Sequence, residues 1–372
     1  MKILVVATWY PSADKPTEAP FNAEHVDAIR RQGHDVRVIH ARLGSAPAAG
    51  DRDGLWEGTP VLRINADPRR PLSLLRTART VARELRWADV VHTMAFSSIL
   101  VAMAPWSGRT LTGRTTPWVH TEHWNGVVNP ASVSPLWEKL SGLRAVLRLP
   151  HVVTGVTGQL AREMQRFARP DAAVVVPCVV EGPAEVRPAE YGSPLKLVAV
   201  GGLIPRKRPL TAIETVGWLR DQGFAAELNW VGDGPQRAEC EALVSSLGLE
   251  DHVRFAGSVR PAEVAEQLSD ADLFFLPTAQ ENFFTSAAEA LAAGRAVVAT
   301  RVGGFSDYAG PQNSRLVDDA TPEALGRAIL EAKDAFAKVP AEDIATPIRQ
   351  RFSPEAVGEL FQESYAAAVA RA

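Results

Sequence analysis

Cysteine is nearly missing: Cys178 and Cys240 are the only two in 372 residues. Two cysteines build no disulfide framework, and their placement forms no metal-binding motif. Long apolar runs are missing too, since no segment approaches the length needed to span a bilayer. The opening stretch Met1–Ala7 is too short for a signal peptide and runs directly into Trp9-Tyr-Pro. Charge of one sign is also lacking. The 40 Lys and Arg against 43 Asp and Glu leave a net charge of −3, which carries no bulk nucleic-acid signature. There is no low-complexity tract, and no repeat beyond a two-fold alternation of elements. What remains has the composition of a soluble cytoplasmic protein, 46% apolar and long enough for two domains of ordinary size.

Short apolar runs alternate with helical stretches from the start. Strands are expected at Lys2–Ala7, Asp35–Ile39, Val61–Ile64, Ala88–His92, Pro117–His120, Val152–Val156 and Ala173–Val176. Helices are expected at Pro20–Gln32, Leu72–Trp87 and Leu136–Leu149, with another between the last two strands, and Ala41–Gly58 as an exposed loop. The β-α-β order implies a parallel sheet with right-handed crossovers. Pro177–Pro194, with four prolines and little periodicity, then breaks the pattern as a linker. Alternation resumes with strands at Leu195–Val200, Glu227–Val231, His252–Ala256, Leu273–Leu276, Val297–Thr300 and Arg315–Val317. A last helix is expected at Pro354–Arg371. This is an α/β chain of two doubly wound, Rossmann-like domains, residues 1–180 and 190–345.

The stretch from Leu273 to Thr300 stands out. It reads strand, loop, helix, turn, strand, with Glu281 in the loop and Glu289 in the first helical turn, seven residues between them. Ligands of open α/β sheets sit beyond the carboxyl ends of strands, where helix N-termini point. Taken alone, Ser286-x-x-Glu289 is a capping box and Glu281 a solvated loop acid. Beyond the strand Leu195–Val200, Gly201-Gly202 lets a ligand approach the backbone. Arg206, Lys207 and Arg208 add positive charge before Pro209, which suits a first helical position. Together these make a diphosphate cradle, whereas a cationic loop without that position is a solvated one.

The Glu281-x7-Glu289 pair, the Glu-Ala-Leu-Ala-Ala-Gly run after it and Val302-Gly303-Gly304 resemble the signature of family 4 glycosyltransferases. These are retaining enzymes of the GT-B fold, in which two Rossmann-like domains face each other across a cleft. The resemblance covers nearly the whole chain and is strongest from Val198 to Gly310. It implies a nucleotide-diphosphate sugar as donor, no metal and no other cofactor, and a sugar, lipid or small-molecule acceptor on the first domain. The tail helix 354–371 would pack back on that domain. By the same resemblance, Glu281 orients the sugar and Glu289 holds the ribose hydroxyls. Gly202, Arg206, Lys207, Val259, Asn282, Phe283 and Phe284 belong to the donor side. His120 stands at a strand's end near the transferring sugar, with His123 and Trp124 on the acceptor side. His120 and His123 lie three apart, but no third metal ligand is evident beside them.

Three departures from the family pattern stand out. Gly202 occupies a position where relatives carry Arg. Ala19-Pro20 replaces glycine in the first loop and removes one N–H. Phe284 replaces a small residue and is expected to narrow the sugar pocket. They keep open a sugar-nucleotide binder without turnover; a sugar-nucleotide epimerase on the same fold is a separate alternative. The helix Leu72–Trp87 carries Arg76, Arg79, Arg83 and Arg86 on one face. That is a solvated face, or, if the protein sits peripherally at the inner membrane surface, a contact with anionic lipid.

Overall fold

The computed structural model describes residues 1–44 and 54–372. Its chain divides into two compact units, Met1–Val179 with Ser353–Ala372, and Val180–Phe352.

The first unit contains β1 (Lys2–Ala7), α1 (Pro20–Arg31), β2 (Asp35–Arg42), β3 (Gly54–Trp56), β4 (Thr59–Asn65), α2 (Pro71–Glu84) and β5 (Val90–Met94). It continues with α3 (Phe96–Leu111), β6 (Trp118–Glu122), α4 (Pro135–Lys139), β7 (Val152–Gly155), α5 (Gly158–Gln165) and β8 (Ala173–Val175). The strands form one sheet in the order β3-β4-β2-β1-β5-β6-β7-β8, parallel except for the β3–β4 pair. β1, β5 and β6 are buried almost along their whole length, as a sheet covered on both faces requires.

The second unit runs β9 (Leu195–Val200), α6 (Pro209–Asp221), β10 (Ala226–Val231), α7 (Arg237–Leu247), β11 (Val253–Gly257) and α8 (Pro261–Ser269). It then adds β12 (Leu273–Leu276), α9 (Thr285–Ala292), β13 (Ala296–Thr300), β14 (Ser314–Val317), α10 (Pro322–Phe336) and α11 (Ala341–Phe352). Its sheet, β11-β10-β9-β12-β13-β14, is wholly parallel. The last helix, α12 (Pro354–Arg371), belongs to the first unit. It buries Val357, Phe361 and Tyr365 among residues of β1 and α1. Gly358 lets it lie backbone-close to α1, because a Cβ there would stand 2.6 Å from the Ala28 carbonyl oxygen.

Each sheet reverses its order once, at β1/β5 and at β9/β12. The loops leaving the carboxyl ends of those strands open a crevice in each unit. No helix among the described residues is long and apolar enough to cross a membrane.

Several expectations need correction. Leu136–Leu149 is not one helix. A single turn, α4, is capped by Ser134 Oγ and ends before Ser141-Gly142, poor helix formers, after which the chain is a 3₁₀ stretch to Arg148. α3 was not expected, because Pro105 and Gly108 interrupt its pattern. It forms even so, with Pro105 buried inside it. The expected loop Ala41–Gly58 begins within β2 and ends through β3, and residues 45–53 lie outside the described residues. α2 stops at Glu84, so Arg86 is not on the helix.

Candidate active site

Three glycine turns close the carboxyl ends of β9, β10 and β11. Trp230 Nε1 donates to the Gly201 carbonyl at 2.8 Å, and the Gly232 N–H to the Gly257 carbonyl at 2.8 Å. Gly232, at φ +135°, admits no side chain, since a Cβ would lie 2.2 Å from the Gly201 oxygen. The strand ends are thus drawn together at backbone distance, leaving peptide groups to line the crevice.

Glu281 sits in that crevice. Its Oε1 accepts from Lys207 Nζ at 2.7 Å, Thr278 Oγ1 at 2.8 Å and Arg206 at 3.1 Å. Arg206 also donates to the Gln280 carbonyl at 2.6 Å. The Lys207 and Glu281 side chains are only 11% and 10% exposed. Glu281 is therefore a buried, paired acid rather than a solvated loop acid. Burial lowers the Lys207 pKa, opposed by the Glu281 charge. The loop is held from behind by Gly303, at φ +59°, where a Cβ would fall 2.0 Å from the Glu281 carbonyl oxygen, and by the Gly304 N–H on the Asn282 carbonyl at 2.8 Å. The donor-side residues Arg206, Lys207, Glu281 and Asn282 thus come together at the β9/β12 crevice. Gly202 lies on the same turn, where an added Cβ would make only ordinary contact. Val259, partly buried, lies in the loop between β11 and α8.

Two aromatic residues behave differently from expectation. Phe284 is 2% exposed, with its ring packed on Phe274 and Phe305. It does not narrow an open sugar pocket; it supports the loop from below. Its backbone, at φ 68° as the N-cap of α9, explains why a small residue suits this position. Phe283 is buried on Tyr308 and Phe352.

Glu289 is the fifth residue of α9, not a first-turn acid. The N-cap is Phe284 with no side-chain cap bond, so the expected capping box does not form. Protein hems Glu289 in although part of its surface stays accessible, and burial lifts its pKa to about 7.

In the first unit, His120 is fully buried, with Nδ1 3.0 Å from Thr93 Oγ1 and 3.1 Å from the Thr93 carbonyl oxygen. A carbonyl only accepts, so Nδ1 carries a proton and Nε2 is the ring nitrogen turned the other way. That Nε2 stands 3.6 Å from Glu122 Oε2. Glu122 Oε1 accepts the N–H groups of His123 at 2.9 Å and Trp124 at 2.8 Å. The Trp124 ring leans on Trp137, their centroids 5.2 Å apart. A hollow of about 750 Å³ lies here, lined by Trp9, Phe21, Phe96, Glu122, His123, Trp124 and Trp137 among others. Glu122 lies between His120 and His123 in sequence, and the family resemblance names no role for it; Trp9 and Trp137 are too distant in sequence to be joined to it by spacing.

His25, His123 and Cys178 bring ligand atoms within 4.8 Å of one another. That trio unites three distant segments, which spacing does not foresee, and it excludes His120. Burial holds the His25 pKa at about 4 and that of His123 well below its ordinary value, so both rings are neutral. On α2, Arg76, Arg79 and Arg83 are exposed, and Arg83 pairs with Glu84 at 2.9 Å.

Comparison with known proteins places both halves. Residues 194–334 match the model of glycosyl transferases group 1, and residues 21–181 that of glycosyltransferase family 4. A Bacillus subtilis protein named as a teichuronic acid biosynthesis glycosyltransferase is 27% identical, covering 95% of each chain. The 2-deoxystreptamine N-acetyl-D-glucosaminyltransferase of Streptomyces fradiae is 28% identical over 89% of this chain and 82% of its own. Among solved structures, HepE of Anabaena in complex with UDP-glucose superposes with a TM-score of 0.73, at 18% identity over 99% of this chain and 100% of that one. The fold is GT-B.

Proposed function

The chain belongs to family 4 of the glycosyltransferases, and from that premise we propose that it moves a sugar, with retention, from a nucleotide-diphosphate sugar to a hydroxyl of an acceptor. The donor binds the β9/β12 crevice of the second unit and the acceptor the first unit. The observation that carries this is Glu281, held at Oε1 by Lys207, Thr278 and Arg206. No described contact uses Oε2, which suits it to accept from a sugar hydroxyl and orient the ring. Arg206 and Lys207 meet the diphosphate as its negative charge grows, aided by the free N–H groups at the start of α6. Glu289, ionised, takes both bonds of a vicinal ribose diol.

In the step itself the acceptor oxygen bonds to the anomeric carbon on the face the phosphate leaves. The bond from that carbon to the phosphate oxygen breaks, and the leaving phosphate takes the acceptor's proton. The charge it develops is met by side-chain cations and backbone N–H groups, so the reading includes no metal. His120, with its Nδ1 proton directed at Thr93, is the residue of the first unit that this reading assigns to the chemistry. Membrane contact is left out of the reading, because Arg83 turns to Glu84 and Arg86 lies beyond α2.

A thermal-shift screen of UDP, GDP, ADP and TDP sugars identifies the donor, since a bound ligand stabilises the folded state by mass action. With that donor, Glu281→Gln lowers transfer about 100-fold while the nucleotide shift persists. Glutamine is chosen over alanine because its amide oxygen can still accept from Lys207, which truncation would leave buried without that acceptor. Unchanged turnover in the variant overturns the role of Glu281.

A further inference from the structure

The hollow in the first unit has a one-sided chemistry. Its charged lining is Glu18 and Glu122, with no Lys or Arg among the described lining residues. Glu18 is offset by Lys15 at 3.3 Å; Glu122 has no Lys or Arg partner among the described residues, and its basic neighbour is the His120 ring, with Nε2 3.6 Å from Oε2. Glu122 is fully buried, and its Oε2 makes no hydrogen bond. The separation from His120 Nε2 is longer than a hydrogen bond, so Oε2 is left without a donor. Asn22 adds a second buried acceptor. Its Nδ2 donates to the Trp9 carbonyl at 2.8 Å, and its Oδ1 has no partner. Around these acceptors stand aromatic faces, and Trp9 and Trp124 keep 52% and 37% of their surface exposed.

Buried acceptors without donors are expensive, so an occupant that brings N–H or O–H groups is favoured. An apolar aglycone would cover the rings but strand both oxygens. A phosphorylated or carboxylated acceptor would meet carboxylates and no cation. A neutral polyol would serve the acceptors but bring no positive charge to a lining whose charged side chains are Glu18 and Glu122. An ammonium serves all three demands: it donates, it neutralises Glu122, and it is attracted to indole faces.

We propose that the acceptor is a compact amino-bearing ring, an aminocyclitol or amino sugar, bound with its ammonium at Glu122 and its ring against Trp124 and Trp9. The word acceptor rests on the transferase reading; the binding preference stands on the hollow alone. The transferred sugar goes to a hydroxyl of the ring, and the ammonium is the handle.

Calorimetry on the full chain without donor tests this with matched probes, streptamine against scyllo-inositol and glucosamine against glucose. Each amine is expected to bind at least about tenfold tighter than its neutral partner. Glu122→Gln removes that preference while still offering Oε1 to both backbone N–H groups. Trp124→Ala weakens the amines. The nucleotide thermal shift, unchanged in both variants, shows that they fold. Equal binding of the neutral rings, or an amine preference that survives Glu122→Gln, overturns the proposal. If amines are preferred but no nucleotide stabilises the protein, the transferase reading fails and the ammonium site remains.

Discussion

The Glu289 side chain has no hydrogen bond or ion pair among the described residues, and burial alone lifts its pKa to about 7. A carboxyl whose folded pKa exceeds its ordinary value of 4.5 holds its proton more tightly when folded. Its contribution to stability is full below pH 4.5 and is lost as pH rises through about 7. Glu289→Gln should therefore stabilise the protein at pH 8 by on the order of 2 kcal/mol and flatten the pH dependence of unfolding between pH 4.5 and 7. If the ionised acid holds the ribose diol, nucleotide binding near pH 6 releases a proton. Affinity then falls about tenfold per pH unit below the pKa, which calorimetry in buffers of different ionisation enthalpy reads directly. Equal affinity at pH 5.5 and 8 would remove the role. Both acids of this crevice were legible as a spaced pair. What spacing could not show is that Glu281 is paired with cations from 74 and 75 residues away while Glu289 stands alone.

Four helices begin at the two crevices, and their N-caps share an unusual feature. Ala19 before α1, Ala95 before α3, Arg208 before α6 and Phe284 before α9 all have positive φ, at 49°, 72°, 52° and 68°, and none makes a side-chain cap bond. Thr157, Thr321 and Ser353 cap α5, α10 and α12 conventionally, and the N-caps of α2 and α7, Arg70 and Gln236, lack a cap bond but keep negative φ. Left-handed backbone in a residue with a side chain costs about 1–3 kcal/mol, and an absent cap leaves first-turn N–H groups open. Strain and open donors therefore coincide where α1, α3, α6 and α9 follow the switch strands β1, β5, β9 and β12. Ala95, at φ 72° and ψ 146°, is the most demanding. Ala95→Gly should stabilise the chain by about 1 kcal/mol, after allowing for the added freedom of the unfolded state. Chemical denaturation checks it, and a loss of stability would show that the Ala95 methyl packs more than it strains. Pro20 and Pro209 are readable as first helical residues, but a torsion angle is not. α3 was missed for a related reason: Pro105 and Gly108 argue locally against a helix that tertiary burial of Ile99, Ala102 and Trp106 imposes.

The chain's two ends meet in one unit, and that sets what can be removed. Val180–Phe352 is continuous in sequence, with its own sheet and its own core, whereas the first unit needs residues from both termini. The proline-rich stretch read as a linker is fastened rather than free. Asp272 accepts the N–H groups of Glu190 at 3.0 Å, Tyr191 at 2.8 Å and Lys196 at 2.9 Å, and Val179 and Val180 are buried. Composition marks where alternation stops; it does not report that a distant aspartate ties the segment down. Ending the chain at Phe352 would strip Val357, Phe361, Tyr365 and Ala368 from the first core and take the Tyr365 hydroxyl from His92, 2.8 Å away. Each large apolar side chain lost is worth about 1.5–3 kcal/mol, so the sum rivals the 5–15 kcal/mol that holds a typical domain together. The shortened chain should show native-state hydrogen exchange throughout residues 1–179 rising to that of an unfolded segment, with protection kept in residues 180–352. The excised segment 180–352 should fold alone and keep the thermal shift given by the nucleotide. If it folds without that shift, the β9/β12 crevice is not sufficient to hold the donor, and the placement of the donor there fails.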